Sequence, residues 1–196
     1  MIIEATQTYS PGNLELLLYL LNQLENKKIN TTVYLGHNSI FEKLNTFNFK
    51  FIRIIKSSGL STILRFLQKR KNVLFFCSFP PVIKNYNSLV YYHSPFFFDP
   101  FKYINDKKLS YKIKFTRLFV YFLIRFFNKN VDSFYCQSLS IKNQLQSAFK
   151  GINVNVMPFF NDSELRNLSY SKKNIFKYDF FYPATADTHK NFNSSL

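Results

Sequence analysis

The sequence predicts an α/β chain built on a Rossmann-like parallel sheet with helices on both faces. Short runs rich in β-branched and aromatic residues alternate with stretches whose apolar residues recur at helical spacing, the order that sets parallel strands beside crossover helices. The middle runs, Val73 to Phe79 above all, are apolar almost throughout, as strands covered on both faces must be. A hydrophobic content of 46% with only 4 Gly and 7 Pro among 196 residues excludes a disordered or fibrous chain. The expected strand order is 3-2-1-4-5-6, with every strand ending on the same edge of the sheet.

Ile2 to Ala5 reads as the first strand and Thr6 to Asn13 as a polar loop holding Pro11 and Gly12. From Leu14 the spacing Leu14, Leu17, Leu18, Leu21, Leu24 predicts a helix that ends at Asn26-Lys27-Lys28. At this junction Gly12 allows close backbone approach to a ligand, and the helix start offers N–H groups to an anion. The loop lacks Gly-x-Gly-x-x-Gly, which disfavours a dinucleotide cofactor. Ile29 to Gly36 reads as a strand, Ser39 to Asn45 as a short helix, and the alternation of Phe47, Phe49 and Phe51 starts a strand running to Ile55. Ser57 to Lys71 predicts a helix with Leu60, Ile63, Leu64 and Leu67 on its packing side and Arg65, Gln68 and Lys69 opposite. Val73 to Phe79 is then a central strand stopped by Pro80-Pro81.

Leu89 to Tyr92 is a strand that delivers His93 to its carboxyl end, where open α/β sheets bind ligands. Asp106 to Asn130 begins cationic and continues with an apolar stretch, Leu118 to Phe127, broken only by Arg125. A stretch of ten residues is too short for a bilayer, which needs about 20. The segment is therefore either a helix buried against the sheet or a basic-aromatic helix resting on an anionic membrane through residues 107–128. Val131 to Gln137 is a strand, Ser138 to Ser140 a cap for a helix over Ile141 to Phe149, and Gly151 closes that helix. Val154 to Phe160 is the last strand of a first domain spanning 1–161; a polar linker follows at 162–178.

The final block, Phe180-Phe181-Tyr182-Pro183 followed by a small polar loop and Lys190-Asn191, places a lysine just past a strand. This block, with His93 and the Gly12 loop, resembles the retaining glycosyltransferases of GT-B architecture, also called group 1 glycosyltransferases. The resemblance implies that residues 1–161 are the acceptor-side half of a GT-B fold and that 179–196 begin a truncated donor-binding domain with its first strand. It also implies roles: Lys190 contacts the donor diphosphate, His93 faces the cleft as the candidate catalytic residue, and Gly12 and Asn13 lie in the acceptor-side loop. Two departures stand out. Pro183-Ala184 occupies the position of a frequent Gly-Arg, and the chain given ends before the family's Glu-rich motif, so little transferase activity is expected of it alone.

The implied reaction moves a sugar from a nucleotide-sugar donor to a saccharide or lipid-linked acceptor, as in polysaccharide or O-antigen synthesis, with no cofactor and no metal. Lys+Arg 26 against Asp+Glu 11 gives a net charge of +15, which calls for an anionic partner, although a general bias toward Lys, Asn and Phe explains the charge as readily. The second reading is a basic membrane- or nucleic-acid-binding protein without catalysis. Nucleic acid is disfavoured because the aromatics sit in apolar runs and no binding module is recognisable. Cys77 and Cys136 read as buried thiols, and the start lacks the features of a signal peptide. The expected location is cytoplasmic, with peripheral contact at the inner face of the membrane.

Overall fold

The computed structural model describes residues 1–76, 79–92, 98–103 and 109–157. Seven strands form one sheet: β1 (Ile2–Glu4), β2 (Thr31–Leu35), β3 (Ile52–Lys56), β4 (Lys71–Phe76), β5 (Tyr86–Tyr92), β6 (Ser133–Cys136) and β7 (Val154–Val156). Their spatial order is β3-β2-β1-β4-β5-β6-β7 and every neighbouring pair is parallel. This is the expected order with a seventh strand added at the far edge. The reversal of direction after β3 is a topological switch point, and β1 and β4 meet there.

Five helices cover the sheet: α1 (Pro11–Asn26), α2 (Asn38–Asn45), α3 (Gly59–Phe66), α4 (Tyr111–Phe127) and α5 (Leu139–Ala148). Because strand side chains alternate between faces, Ile3, Val33, Leu74 and Phe76 point toward Leu17 and Leu21 of α1 and Ile40 and Leu44 of α2. Val73, Phe75, Val90 and Phe134 point the other way, toward Phe66 of α3, Ile124 of α4 and Leu145 of α5. This division is the one expected where the chain builds outward in one direction to β3 and in the other from β4, since crossovers between parallel strands favour one hand.

Serines start four of the helices. Ser10, Ser58, Ser110 and Ser138 are extended in backbone, and each Oγ accepts the N–H three residues on. Ser10 together with Pro11 at the first helical position starts α1 earlier than the apolar periodicity indicates, so Gly12 and Asn13 lie in its first turn and not in a preceding loop. Gly151, with φ of 81°, follows α5 as expected. The strand expected from Phe47 begins only at Ile52. Phe47 and Phe49 stack at 5.7 Å, and the Glu25 carboxylate accepts the Lys50 and Phe51 N–H groups at 2.7 and 3.0 Å, fixing this segment outside the ladder.

Helix α3 departs most from expectation. It is shorter than Ser57 to Lys71, and its roll is inverted: Leu60, Ile63, Leu64 and Leu67 face outward, Leu60 with 70% of its surface exposed. The cause lies beneath it. Glu4, fully buried on β1, shares the sheet face with Phe75 and takes Arg65 Nε at 2.7 Å and Arg70 Nη1 at 2.7 Å. The Arg65 guanidinium also lies 4.1 Å from the centre of the Tyr34 ring. An unpaired buried carboxylate costs several kcal/mol, so the polar side of α3 is drawn in and Phe66 alone packs deeply, against Phe75 and Phe79.

Helix α4 is not buried all round. Only Arg117 and Ile124 are buried, while Tyr111, Phe115, Phe119, Phe122 and Phe126 form an exposed stripe on the opposite side. Among the described residues no helix is long and apolar enough to cross a membrane.

Candidate functional site at the carboxyl edge of the sheet

In a doubly wound parallel sheet, ligands bind outside the carboxyl ends of the strands near the switch point. The loop from β1 to α1 lies there. Ala5 N–H donates to Tyr34 O at 3.0 Å and Thr8 N–H to Ala5 O at 3.1 Å, which folds the loop back over the end of the sheet. Three side chains of this loop and the first turn of α1 are polar and buried: Thr6, Thr8 and Asn13. Thr6 Oγ1, Thr8 Oγ1 and Asn13 Oδ1 have no hydrogen-bond partner among the described residues. Buried polar atoms are nearly always paired, so three within eight residues mark a place suited to a polar ligand or ordered water.

Gly12 is exposed beside them at the helix start, with open space next to its Cα. Ser10 Oγ accepts the Asn13 N–H at 3.3 Å and leaves the Gly12 N–H uncapped by that side chain. The amino end of α1 thus combines the positive end of a helix dipole with unpaired oxygens, an arrangement that hydrogen-bonds hydroxyl groups and tolerates negative charge.

A second loop closes on the first. Gly36, just past β2, approaches so near that a Cβ there would lie 2.5 Å from Thr6 O. His37 follows, exposed, and its ring faces that of Tyr9 with centroids 6.4 Å apart. The sequence signal for Gly36 was a glycine ending a β-branched run. Nothing in the sequence singled out Thr6, Thr8, Tyr9 or His37, because their significance arises only when two loops 30 residues apart share one edge.

At the same edge Cys136 ends β6 opposite Tyr92 of β5. Burial pushes its thiol above the usual range, outweighing the backbone hydrogen bond at Ser138 and the Lys142 charge. Such a thiol stays protonated and is a poor nucleophile at neutral pH.

The structure places Gly12 and Asn13 together at this edge. His93 directly follows β5, but it lies outside the described residues, as do Lys190, Cys77, the linker 162–178 and the strand expected from Phe180. Among the described residues no group of His, Cys, Asp and Glu is arranged to hold a metal ion. A shallow depression of about 440 Å³ lies at the opposite, amino edge, lined by Met1, Asn30, Lys50 and Arg53 among others. Sheet topology favours the carboxyl edge over this depression, where the Met1 ammonium is already bound to Asn30 O at 2.7 Å.

No protein family, curated protein or solved structure matches this chain.

Proposed function

We propose that the chain is the acceptor-side part of a GT-B type glycosyltransferase, moving a sugar from a nucleotide-sugar donor to a saccharide or lipid-linked acceptor in cell-surface polysaccharide synthesis. The observation that carries the reading is the set of unpaired, buried oxygens of Thr6, Thr8 and Asn13 at the amino end of α1, on the carboxyl edge of a parallel sheet. A saccharide hydroxyl both donates and accepts, so it suits hydroxyl and amide oxygens that lack partners. The open surface at Gly12 admits a ring close to the backbone.

In this reading Lys190 neutralises charge that develops on the departing diphosphate, and His93 faces the inter-domain cleft on the donor side. Removing one such electrostatic contact typically lowers turnover on the order of 10²-fold or more. The chemistry calls for cationic side chains and helix dipoles at the leaving phosphate.

Saturation-transfer NMR of the full chain against a panel of short saccharides tests the acceptor loop. Signal transfer to at least one saccharide, abolished in Thr8→Val and Asn13→Leu with the fold intact by circular dichroism, is the expected result. A complete lack of saccharide contact, or contact unaffected by both substitutions, overturns the assignment of this loop.

A further inference from the structure

We propose that the outer surface of the α3–α4 layer is a docking platform for an anionic bilayer surface. The inference stands on these two helices and does not depend on sugar transfer. Both helices cover the same face of the sheet, since Phe66 of α3 and Ile124 of α4 enter one core cluster. Their opposite sides therefore look away from the sheet in the same general direction. Leu60 and Leu64 on α3, Leu67 at its C-cap, and Phe115, Phe119 and Phe126 on α4 are all exposed there, Phe115 at 72%. Single exposed apolar residues need no explanation, but two helices that turn their apolar sides outward from one face do.

Charge selects the occupant. Neither helix contains an Asp or Glu, and the whole chain carries +15. At 100° per residue, Lys112 and Arg125 of α4 fall on either side of the aromatic stripe, and both are exposed. Aromatic and aliphatic residues flanked by cations, on a helix too short and too amphipathic to span, match the interfacial zone of a bilayer with negative headgroups. A nucleic-acid surface would leave the leucines of α3 without a use, because stacking needs rings and phosphate contact needs cations.

The inverted roll of α3 supplies the second, independent contact. The Glu4 carboxylate holds Arg65 inward, so the leucines are committed to the outside whether or not lipid is present. The platform is thus already formed in the free protein and needs no coupled folding to engage.

Flotation of the full chain with phosphatidylcholine vesicles, with and without one-third phosphatidylglycerol, tests the proposal. We expect the protein to float with the anionic vesicles and not with the neutral ones, with binding weakened as salt is raised. The pairs Leu60→Glu/Leu64→Glu and Phe115→Glu/Phe119→Glu should each lower vesicle partitioning at least about 10-fold. The uncharged pair Leu60→Ser/Leu64→Ser serves if the acidic one misfolds. Failure to float with anionic vesicles at low salt overturns the proposal. Unchanged binding by the α3 variants removes α3 from the platform and overturns it as stated. A lipid-free dimer dissolved by these same substitutions in sedimentation velocity identifies a second copy as the occupant. Vesicle binding lost to competing RNA while the Leu→Ser variant binds normally identifies a nucleic-acid surface, and that also overturns it.

Discussion

Glu4 shows how one residue orders its surroundings. It is fully buried on the interior strand β1 and holds two arginines that are almost as buried. Glu4→Leu leaves both cations without a counter-charge and should destabilise the fold by about 3 to 5 kcal/mol, read as a drop in the urea midpoint. The triple variant Glu4→Leu/Arg65→Leu/Arg70→Met should recover most of that loss, because the penalty belongs to the unpaired charges and not to the missing carboxylate. Gly36 makes a different demand. An alanine there meets the Thr6 carbonyl at 2.5 Å, so Gly36→Ala should cost about 1 to 3 kcal/mol and displace the loop that carries Thr6 and Thr8. Amide chemical shifts of residues 6–10 would report the displacement, and unchanged shifts would refute it. Neither role was visible in the sequence. A lone Glu beside two isoleucines looks like a strand end, and the partners that explain it lie more than 60 residues away.

At the scale of elements, the positions of helices and strands were largely legible, because periodicity and capping are local signals. The roll of α3 was not. Its leucine spacing predicts a buried apolar side, and only the buried charge on the neighbouring strand reverses it. The aromatic stripe of α4 was ambiguous for the same reason, since a strongly apolar helix looks alike in a core and at an interface. The junction between β5 and β6 carries a pH-dependent link. Asp132 Oδ2 accepts the Ser88 N–H at 2.9 Å while its own N–H donates to Ser88 O at 3.0 Å, and Lys84 lies 3.3 Å away. The Ser88 backbone hydrogen bond, more than the Lys84 charge, lowers the carboxyl pKa against the opposing effect of burial. A carboxylate with a depressed folded pKa stabilises above its unfolded value and loses that contribution as pH falls through the folded one. Stability should therefore fall on acidification below about pH 4, and Asp132→Asn should flatten that part of the profile while lowering the plateau at neutral pH. An unaltered acid limb in thermal denaturation would rule out the link.

For the whole molecule, alternating strands and helices with right-handed crossovers left few possible arrangements, and the strand order followed from them. The carboxyl edge could likewise be located from the β1–α1 junction, with Gly12 and Asn13 on it. The buried oxygens of Thr6 and Thr8 could not, since a threonine in a polar loop carries no mark of burial until the fold closes over it. The position of β1 has a further consequence, one of timing. Strand β1 lies inside the sheet, between β2 and β4, and β4 is not complete until Phe76. A chain emerging from the ribosome therefore exposes β1 on one side until β4 has been made, and leaves Glu4 unpaired until Arg65 and Arg70 follow. Non-local pairing of this kind delays folding until the distant partner arrives. Arrest-peptide force measurements on stalled chains of increasing length should show little pulling force until β4 has cleared the exit tunnel, then an abrupt rise. A strong force from chains that present only β1 to β3 would contradict this.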